Sequence, residues 1–253
     1  MSIMHLLIAG LAAIAGGAVN ALAGGGTLIT FPVLTALGIP IVIANTTNTV
    51  ALCPGYLGAT LAQINDLRGQ SLRLFLLIPI SIIGGIGGGV LLLHTNDRSF
   101  FKIVPYLIII AVVLMALQDP LRAWLMRRSG KSGTESLHDA WSILPIIPAS
   151  IYGGFFGAGL SVIIIAVLGL VLEDTLTRLN ALKQVLALSI NISAAVFFLF
   201  SGHIVWSAAL VMATGSLAGG ALGGLMAGRV SSRMLRGVVI VTGTIVAIIF
   251  LVR

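Results

Sequence analysis

Apolar residues dominate long windows of this chain, and short polar stretches separate the windows. Six windows are each long enough to cross about 30 Å of hydrocarbon as a helix of roughly 20 residues. They cover residues 41–63, 72–93, 101–118, 179–201, 204–227 and 234–252. Two further apolar stretches, 3–38 and 142–172, are too long for one crossing and are interrupted by glycines. The pattern predicts an all-α polytopic membrane protein with about eight hydrophobic segments.

The two interrupted stretches belong to an internal repeat. Asn45 and Asn180 lie 135 residues apart, and paired glycines recur at the same offset: Gly84-Gly85 and Gly88-Gly89 return as Gly219-Gly220 and Gly223-Gly224. Gly16-Gly17 returns as Gly153-Gly154 at an offset of 137. Interrupted hydrophobic segments at matching places in two halves are typical of the binding site of a transporter. We therefore predict a first repeat at 1–118, a polar linker at 119–140 and a second repeat at 141–253.

Each interrupted stretch could form two full crossings or one re-entrant hairpin. In the second stretch, the apolar pieces 142–152 and 157–171 are about 11 and 15 residues long. At 1.5 Å per residue neither piece crosses a bilayer alone. The hairpin is therefore the better prediction for the second stretch.

The distribution of basic residues also favours hairpins, because cytoplasmic loops carry an excess of Lys and Arg. A single crossing by each stretch would divide the fourteen basic residues seven to seven, whereas two hairpins divide them eleven to three. The larger group is Arg68, Arg73, Arg122, Arg127, Arg128, Lys131, Arg178, Lys183, Arg229, Arg233 and Arg236, and the smaller is Arg98, Lys102 and Arg253. We predict hairpins, and both termini outside the cytoplasm. Each repeat then crosses an odd number of times, so the two repeats would be inverted relative to each other.

Composition excludes several classes of protein. Hydrophobic residues make up 58% of the chain and charged residues 8%, against roughly 25% charged in a soluble domain. The mean hydropathy is +1.14. The net charge of +7 comes from basic residues that lie mainly between apolar windows, so we interpret them as topology signals rather than as a nucleic-acid surface. Cys53 is the single cysteine, which excludes an internal disulfide, and we expect it to pack within its helix.

The glycine interruptions predict where an anion could bind. The first amides of a helix have no intrahelical partner, and lipid cannot supply one. Together with the positive end of the helix dipole, they can hold an anion without a charged side chain. We expect second half-helices to start around Gly24 to Thr27 and around Gly157 to Ser161, and both starts to converge near the bilayer midplane. The candidate residues are Asn20, Gly24, Gly25, Gly26, Thr27, Gly157, Gly159 and Ser161.

The alternative for such glycines is that they allow two helices to cross closely. We prefer that interpretation for Gly84 to Gly89 and for Gly215 to Gly228. Consecutive glycines are poor in a continuous helix, so the triple glycine at 24–26 favours an interruption.

The next window of each repeat carries a polar cluster. Polar side chains within membrane spans are costly and face a bundle interior, a partner or a cavity. By i, i+3, i+4 spacing each cluster shares a helix face: Asn45, Asn48 and Thr49 in the first repeat, and Asn180, Lys183 and Gln184 in the second. We include these six as candidate substrate-binding residues, although hydrogen bonding between helices explains any one of them equally well. Lys183, which matches Asn48 at the shared offset, could contact an anion or extend to the membrane surface.

These features resemble the sulfite exporter TauE/SafE family, also called TSUP or DUF81, over nearly the whole chain. The resemblance rests on Ala15 to Thr27 running into Phe31-Pro32-Val33-Leu34 and Leu37-Gly38, on Ala44 to Asn48, on Tyr152 to Gly159 and on Arg178 to Lys183. It implies a bacterial inner-membrane carrier for small sulfur-containing anions such as sulfite, sulfoacetate or related organosulfonates. Many members have three consecutive glycines in the second hairpin where this chain has Gly157-Ala158-Gly159, so the second half-site is expected to differ.

The preferred function is thus a secondary transporter that works by alternating access, with a carrier of small carboxylates as the alternative. A passive channel would require a continuous polar lining, which the apolar spans do not offer. An enzyme is not expected, because His5, His94, His138 and His203 lie at a terminus, at span ends or in the linker, and no HExxH pattern exists.

We predict no catalytic residue, cofactor or metal. The expected partners are a small anion and the lipid bilayer, with a proton as candidate coupling ion and no nucleic acid. We expect the acidic pair Glu173 and Asp174 to interact with Arg178.

Overall fold

The computed structural model describes residues 1–22, 24–117, 119–120, 123, 143–172, 174–225 and 232–252. Its helices in the first half are α1 (Ile3–Leu22), α2 (Thr27–Ala36), α3 (Ile41–Ala62), a short 3₁₀ helix (Ile64–Leu67), α4 (Ser71–His94) and α5 (Asp97–Ala116). Those in the second half are α6 (Ile143–Phe155), α7 (Leu160–Val171), α8 (Leu176–Leu199), α9 (Trp206–Leu225) and α10 (Ser232–Val252). The predicted linker 119–140 lies almost entirely outside the described residues.

The six predicted spanning windows correspond to α3, α4, α5, α8, α9 and α10. Polar caps and prolines set several of their starts. The side chain of Asn96 accepts a hydrogen bond from the Ser99 amide at 2.8 Å at the start of α5, and Thr175 accepts one from Arg178 at 3.4 Å at the start of α8. Pro40 directly precedes α3, where its fixed φ suits the entry into a helix.

Small residues hold the two halves together through matching helix contacts. A Cβ added to Gly219 of α9 would lie 2.0 Å from the carbonyl oxygen of Ile14 in α1. At the equivalent place in the other half, a Cβ on Gly84 of α4 would lie 2.3 Å from Ser150 and 3.3 Å from the amide nitrogen of Ile151 in α6. Helix α1 thus packs on α9 as α6 packs on α4, and the expected role of these glycines in close crossing is confirmed.

A second pair of contacts is related by the repeat offset of 135 residues, which applies to both residues of each contact. Gly85 of α4 lies against Ile190 of α8, and Gly220 of α9 lies against Gly55 of α3. Exchanging the first half for the second therefore converts one contact into the other. The packing follows a pseudo-twofold axis that relates α1–α5 to α6–α10.

Equivalent helices run in opposite directions. The end of α3 meets the start of α8 where Asn180 donates a hydrogen bond to Gln63 at 2.9 Å. The start of α3 meets the segment after α8 where the Val205 amide donates to Thr47 at 3.0 Å. Since α3 and α8 occupy the same place in their repeats, antiparallel packing means that the repeats are inverted.

The pair α5 and α10 shows the same antiparallel arrangement. Phe101, near the start of α5, packs on Phe250, near the end of α10, with ring centroids 5.3 Å apart. Gly243, half-way along α10, faces Val112 in the second half of α5.

Both interrupted stretches fold back on themselves. At the first, a Cβ on Gly16 would lie 2.6 Å from the methyl group of Thr30, so α2 runs back along α1. At the second, the Leu160 side chain covers Gly153. The second hairpin has arms of 13 and 12 residues, close to the predicted pieces. In the first, α1 has 20 residues and by length and composition could itself cross a membrane.

One face of the molecule, here called the terminal face, carries the start of α1, the end of α10 and the turns before α3, α5 and α9. The Val42 amide donates to Asp97 at 3.1 Å, which joins the starts of α3 and α5. Gly10 of α1 contacts Val211 near the start of α9, and Phe250 lies beside Phe101. The first hairpin therefore begins and ends on the terminal face.

The opposite face, here called the arginine face, is fastened by an ion-pair cluster. Asp174, between α7 and α8, accepts hydrogen bonds from Arg73 at the start of α4 and from Arg178 of α8. Arg178 also donates to the carbonyl oxygen of Arg68 at 2.9 Å. Burial raises the pKa of Asp174, but hydrogen bonds from Arg178, Arg73 and the Thr175 amide outweigh it and hold the pKa below its ordinary value. The expected pairing of Asp174 with Arg178 is confirmed, whereas Glu173 lies outside the described residues.

The positions of the described basic residues agree with the predicted division. Arg68, Arg73 and Arg178 share the arginine face, while Arg98 and Lys102 follow the α4–α5 turn on the terminal face. The remaining basic residues of that count, apart from the buried Lys183, have side chains outside the described part of the chain.

Among the described residues, five helices are long and apolar enough to cross a membrane: α1, α4, α5, α8 and α9. Helix α3 has 22 residues but includes the polar run Asn45 to Thr49, which lowers its hydropathy. Large apolar side chains such as Phe75 and Phe200 are 77% and 86% exposed, a surface that suits lipid rather than water. The fold is an all-α polytopic membrane protein.

Candidate functional site

The centre of the molecule contains a cluster of buried polar side chains. The hydroxyl of Tyr56 in α3 approaches the side-chain amides of Asn191 in α8 and Asn20 in α1. All three residues are buried, with exposed fractions of 4%, 5% and 8%. Tyr56 and Asn191 are related by the offset of 135, so their contact lies where the pseudo-twofold axis passes between α3 and α8.

The two helix interruptions meet close to this axis. The last turn of α1 is closed by the Gly24 amide, which donates to the Val19 carbonyl at 3.0 Å, and that of α6 by the Gly157 amide, which donates to Tyr152 at 3.2 Å. Both glycines adopt the left-handed conformation, with φ of +79° and +73°. Gly24 lies directly against Ser161, because a Cβ there would be 2.5 Å from that of Ser161. The predicted convergence of the two half-helix starts is therefore seen in the packing.

Both returning helices present their amino-terminal ends at this meeting point. Helix α2 begins at Thr27 and α7 at Leu160, within the predicted ranges Gly24 to Thr27 and Gly157 to Ser161. In α2 the first bonded amide is that of Leu28, which donates to Gly25 at 3.1 Å. The amides of Gly25, Gly26 and Thr27 precede that first bond, so the positive end of the α2 dipole lies beside Ser161.

Two hydroxyl groups in these first turns have no hydrogen-bond partner among the described residues. Thr27 is 6% exposed and Ser161 is 4% exposed. Within the described residues neither side chain makes a hydrogen bond, whereas Thr30, one turn later in α2, donates to the Gly26 carbonyl at 3.1 Å. Each hydroxyl oxygen is accessible rather than fully enclosed, so it can donate a hydrogen bond to a bound acceptor.

The remaining wall of this meeting point is apolar. Gly25 faces the thioether of Met115 and a methyl group of Val239, at distances that leave no room for a side chain. Gly159 faces Ala111 of α5 in the same layer. The meeting point thus combines helix amino termini and hydroxyl donors with a low-dielectric surround, which strengthens their attraction for an anion.

The predicted residues on α3 lie away from this centre, toward the terminal face. Asn45 donates to the Phe155 carbonyl at 2.8 Å, and Thr49 donates to the Asn45 carbonyl at 3.0 Å. Asn48 is 1% exposed, and its buried side-chain oxygen has no partner among the described residues, nor has that of Asn45. Asn45 therefore ties α3 to the end of α6, which agrees with hydrogen bonding between helices.

The predicted residues on α8 lie toward the arginine face. Lys183 donates through Nζ to Asn180 at 2.8 Å, and Asn180 donates to Gln63. Gln184 is 2% exposed. Because α3 and α8 are antiparallel, Asn48 and Lys183 fall near opposite ends of the pair, roughly 20 Å apart at 1.5 Å per residue. One small anion cannot contact both groups, so the structure does not bring all the predicted residues into a single cluster.

Tyr56 and Asn191 were not among the predicted site residues. Their signal was present in the repeat: each follows its equivalent asparagine, Asn45 or Asn180, by eleven residues, which is close to three helical turns. A tyrosine and an asparagine do not look alike, so the equivalence becomes visible only when the two side chains meet at the axis.

No group of three or more His, Cys, Asp or Glu side chains in the described residues could hold a metal ion. Among the described residues of the meeting point, none carries a charge at its side chain. Any anion bound there would be held by amides, hydroxyls and helix dipoles.

Comparison with known proteins identifies the family. The sequence profile of the sulfite exporter TauE/SafE family matches residues 8–250. The chain belongs to this family. A probable membrane transporter protein of Haemophilus influenzae is 30% identical over 223 residues, which cover 88% of this chain and 85% of that protein. The probable membrane transporter protein YfcA of Escherichia coli K12 is 22% identical over 240 residues, covering 91% and 84% of the two chains.

A third relative, from a Sinorhizobium species, is a probable membrane transporter protein that is 26% identical over 245 residues, 94% of this chain and 88% of its own. No solved structure matches the chain significantly. The resemblance inferred from the motifs is confirmed, and the chain is a multi-pass membrane protein of a transporter family.

Proposed function

We propose that this TauE/SafE protein is a secondary transporter for small sulfur-containing anions such as sulfite, sulfoacetate or related organosulfonates. The anion binds where α2 and α7 begin, between Gly24 to Thr27 and Gly157 to Ser161. One observation carries the proposal: Gly24 touches Ser161, so two helix amino termini meet at the pseudo-twofold axis beside two hydroxyls that have no partner among the described residues.

The chemistry of that place suits an oxyanion. Sulfite and sulfonate groups present three oxygen atoms that accept hydrogen bonds from several directions. The amides at the start of α2 and the hydroxyls of Thr27 and Ser161 are donors, and the two helix dipoles favour negative charge. A neutral donor set also allows release, because no fixed cation holds the anion at the centre.

Alternating access follows from the inverted repeats. Each hairpin enters from a different face, and the two tips contact each other through Gly24 and Ser161. Movement of one repeat against the other would open the central site first to one side and then to the other. We place the protein in the bacterial inner membrane with both termini periplasmic, because Arg68, Arg73 and Arg178, three of the four arginines whose side chains are described, gather on the opposite face.

Transport by reconstituted vesicles tests this function. We expect saturable uptake of sulfite or a sulfonate, competition among sulfur oxyanions, and a dependence on the pH gradient if a proton is the coupling ion. Preference for acetate would replace the sulfur anion with a small carboxylate as substrate. Uptake of chloride and every other anion at similar rates would contradict the carrier.

Two variants address the binding residues directly. Ser161→Ala and Thr27→Val each remove one unpartnered hydroxyl, and each should raise the KM by about 2- to 10-fold, the effect of one neutral hydrogen bond. Ser189→Ala is the matched control, because that hydroxyl donates to the Val185 carbonyl of its own helix at 2.9 Å. An unchanged KM in both hydroxyl variants would remove the proposed binding site while leaving transport itself in place.

A further inference from the structure

Lys183 is a buried cation that lies outside the proposed central site. It is 9% exposed, and it lies eight residues from Asn191 along α8, or about 12 Å from the axis. Its Nζ does not extend to the surface beyond Asn180, to which it donates at 2.8 Å. A long side chain that only anchored the helix at the membrane surface would place its charge in water instead.

The charge of Lys183 has no anionic partner among the described residues. The ion pairs of this region join Asp174 to Arg73 and Arg178, and Lys183 contacts only the neutral Asn180. An ammonium group has three donors, so two of them remain for other acceptors. Burial of an unpaired charge is costly, and an anion with two oxygen atoms within reach would offset that cost.

The equivalent position in the first repeat has the opposite character. Asn48 takes the place of Lys183, and its buried side-chain oxygen is an acceptor that has no partner within the described part of the chain. Inversion of the repeats places Asn48 toward the terminal face and Lys183 toward the arginine face. An anion approaching the centre therefore meets a cation from one side and a neutral amide from the other.

We propose that Lys183 forms a second, one-sided anion site between the arginine face and the central site, which gives the transporter a higher affinity for anions arriving from the arginine face. The ligand class is a small oxyanion, held by two N–H groups of Lys183. Asn180 and Gln63 position the ammonium group through their hydrogen-bond chain from α3 to α8. The inference rests on the proposed function, because it concerns access to that central site.

Membrane vesicles of the two orientations test the one-sidedness. Lys183→Met should raise the KM for sulfite by roughly tenfold or more when the arginine face is outside, the loss expected for a charge-assisted hydrogen bond, and by less than about twofold when the terminal face is outside. Lys183→Arg should retain most of the affinity. Asn48→Lys should lower the KM from the terminal face. Lys102→Met, which removes an exposed lysine on the terminal face, is the control.

Equal changes of the KM from both faces would overturn the proposal and assign Lys183 to the central site. An unchanged KM from both faces would also contradict the proposal, because Asn180 alone would then satisfy the ammonium group of Lys183.

Thermal stabilisation of the detergent-solubilised protein by sulfite, sulfate or acetate measures anion binding at the Lys183 site without requiring transport. Stabilisation that persists in Ser161→Ala but is weakened in Lys183→Met supports a separate site, even if none of the anions is transported. Equal stabilisation of the wild type and Lys183→Met by every anion contradicts it. Failure of transport with an intact Lys183-dependent stabilisation would count against the proposed function alone.

Discussion

Replacing Gly88 with alanine tests the helix contact that holds the second hairpin in place. Gly88 of α4 faces α6, where an added Cβ would lie 2.1 Å from the carbonyl oxygen of Ile151 and 2.6 Å from the amide nitrogen of Phe155. Since Cβ atoms essentially never approach closer than 3.0 Å, α4 and α6 must separate by about 0.9 Å. Both opposing atoms belong to helix backbone, so no side-chain rotation relieves the overlap. Overpacking of this kind costs about 1–3 kcal/mol.

Gly87 supplies a matched control on the same helix, because a Cβ there would have nothing within 4 Å. Alanine at Gly87 removes a helix penalty of about 1 kcal/mol and should leave the Tm unchanged or raise it. Because alanine gains the same helix propensity at both positions, the overpacking cost is the difference between the two variants: Gly88→Ala should have a Tm roughly 2–12 °C below that of Gly87→Ala, at about 2–4 °C per kcal/mol for a chain of this size. The two variants are compared by thermal unfolding under identical conditions. Equal Tm values would refute the close packing of α4 on α6 through Gly88.

Three further predictions concern the site, the arginine face and the topology. Gly24→Ala should slow transport per folded protein far more than the control Gly38→Ala. Both positions have φ near +80°, so both variants strain the backbone, but only at Gly24 would the added Cβ collide with Ser161. Similar transport rates for the two variants would contradict the contact between Gly24 and Ser161. Asp174→Asn should destabilise the protein above pH 4. The difference from wild type should shrink as the pH falls from 3.8 through the lowered pKa of Asp174 in the folded protein, because protonation then removes the charge that Arg73 and Arg178 stabilise; a difference in unfolding that stays constant with pH would contradict this. A reporter active only in the periplasm should be active when fused to either terminus, and activity at one end alone would contradict the shared terminal face.

Apolar patterning was enough to locate most of the helices. The windows 41–63, 72–93 and 179–201 differ from α3, α4 and α8 by only a few residues at each end. A membrane span must satisfy its backbone hydrogen bonds internally, so a long apolar window permits little besides a helix. The spacing of the glycine pairs revealed the repeat, and the distribution of basic residues predicted that its two copies are inverted.

The division of the candidate site into three places could not be predicted from the sequence. Helical spacing showed that Asn180, Lys183 and Gln184 share one face, but spacing along one helix carries no information about depth relative to another helix. The contact of Tyr56 with Asn191 fixes that depth, and it separates Lys183 from Asn48. The pattern likewise gave the half-helix starts only as the ranges Gly24 to Thr27 and Gly157 to Ser161, whereas the structure shows that the first turns form at Thr27 and Leu160 because the preceding glycines close α1 and α6.

The sequence by itself determined that this is a membrane protein, that it contains a repeat and to which family it belongs. Hydrophobicity, glycine spacing and charge are properties of the chain that do not depend on tertiary contacts. Only the tertiary structure decided which polar groups meet. An inverted pair brings equivalent residues close together at the pseudo-twofold axis and carries them apart in proportion to their distance from it. Gly24 and Ser161 therefore share one centre, while Asn48 and Lys183, equivalent in sequence, face opposite sides of the membrane.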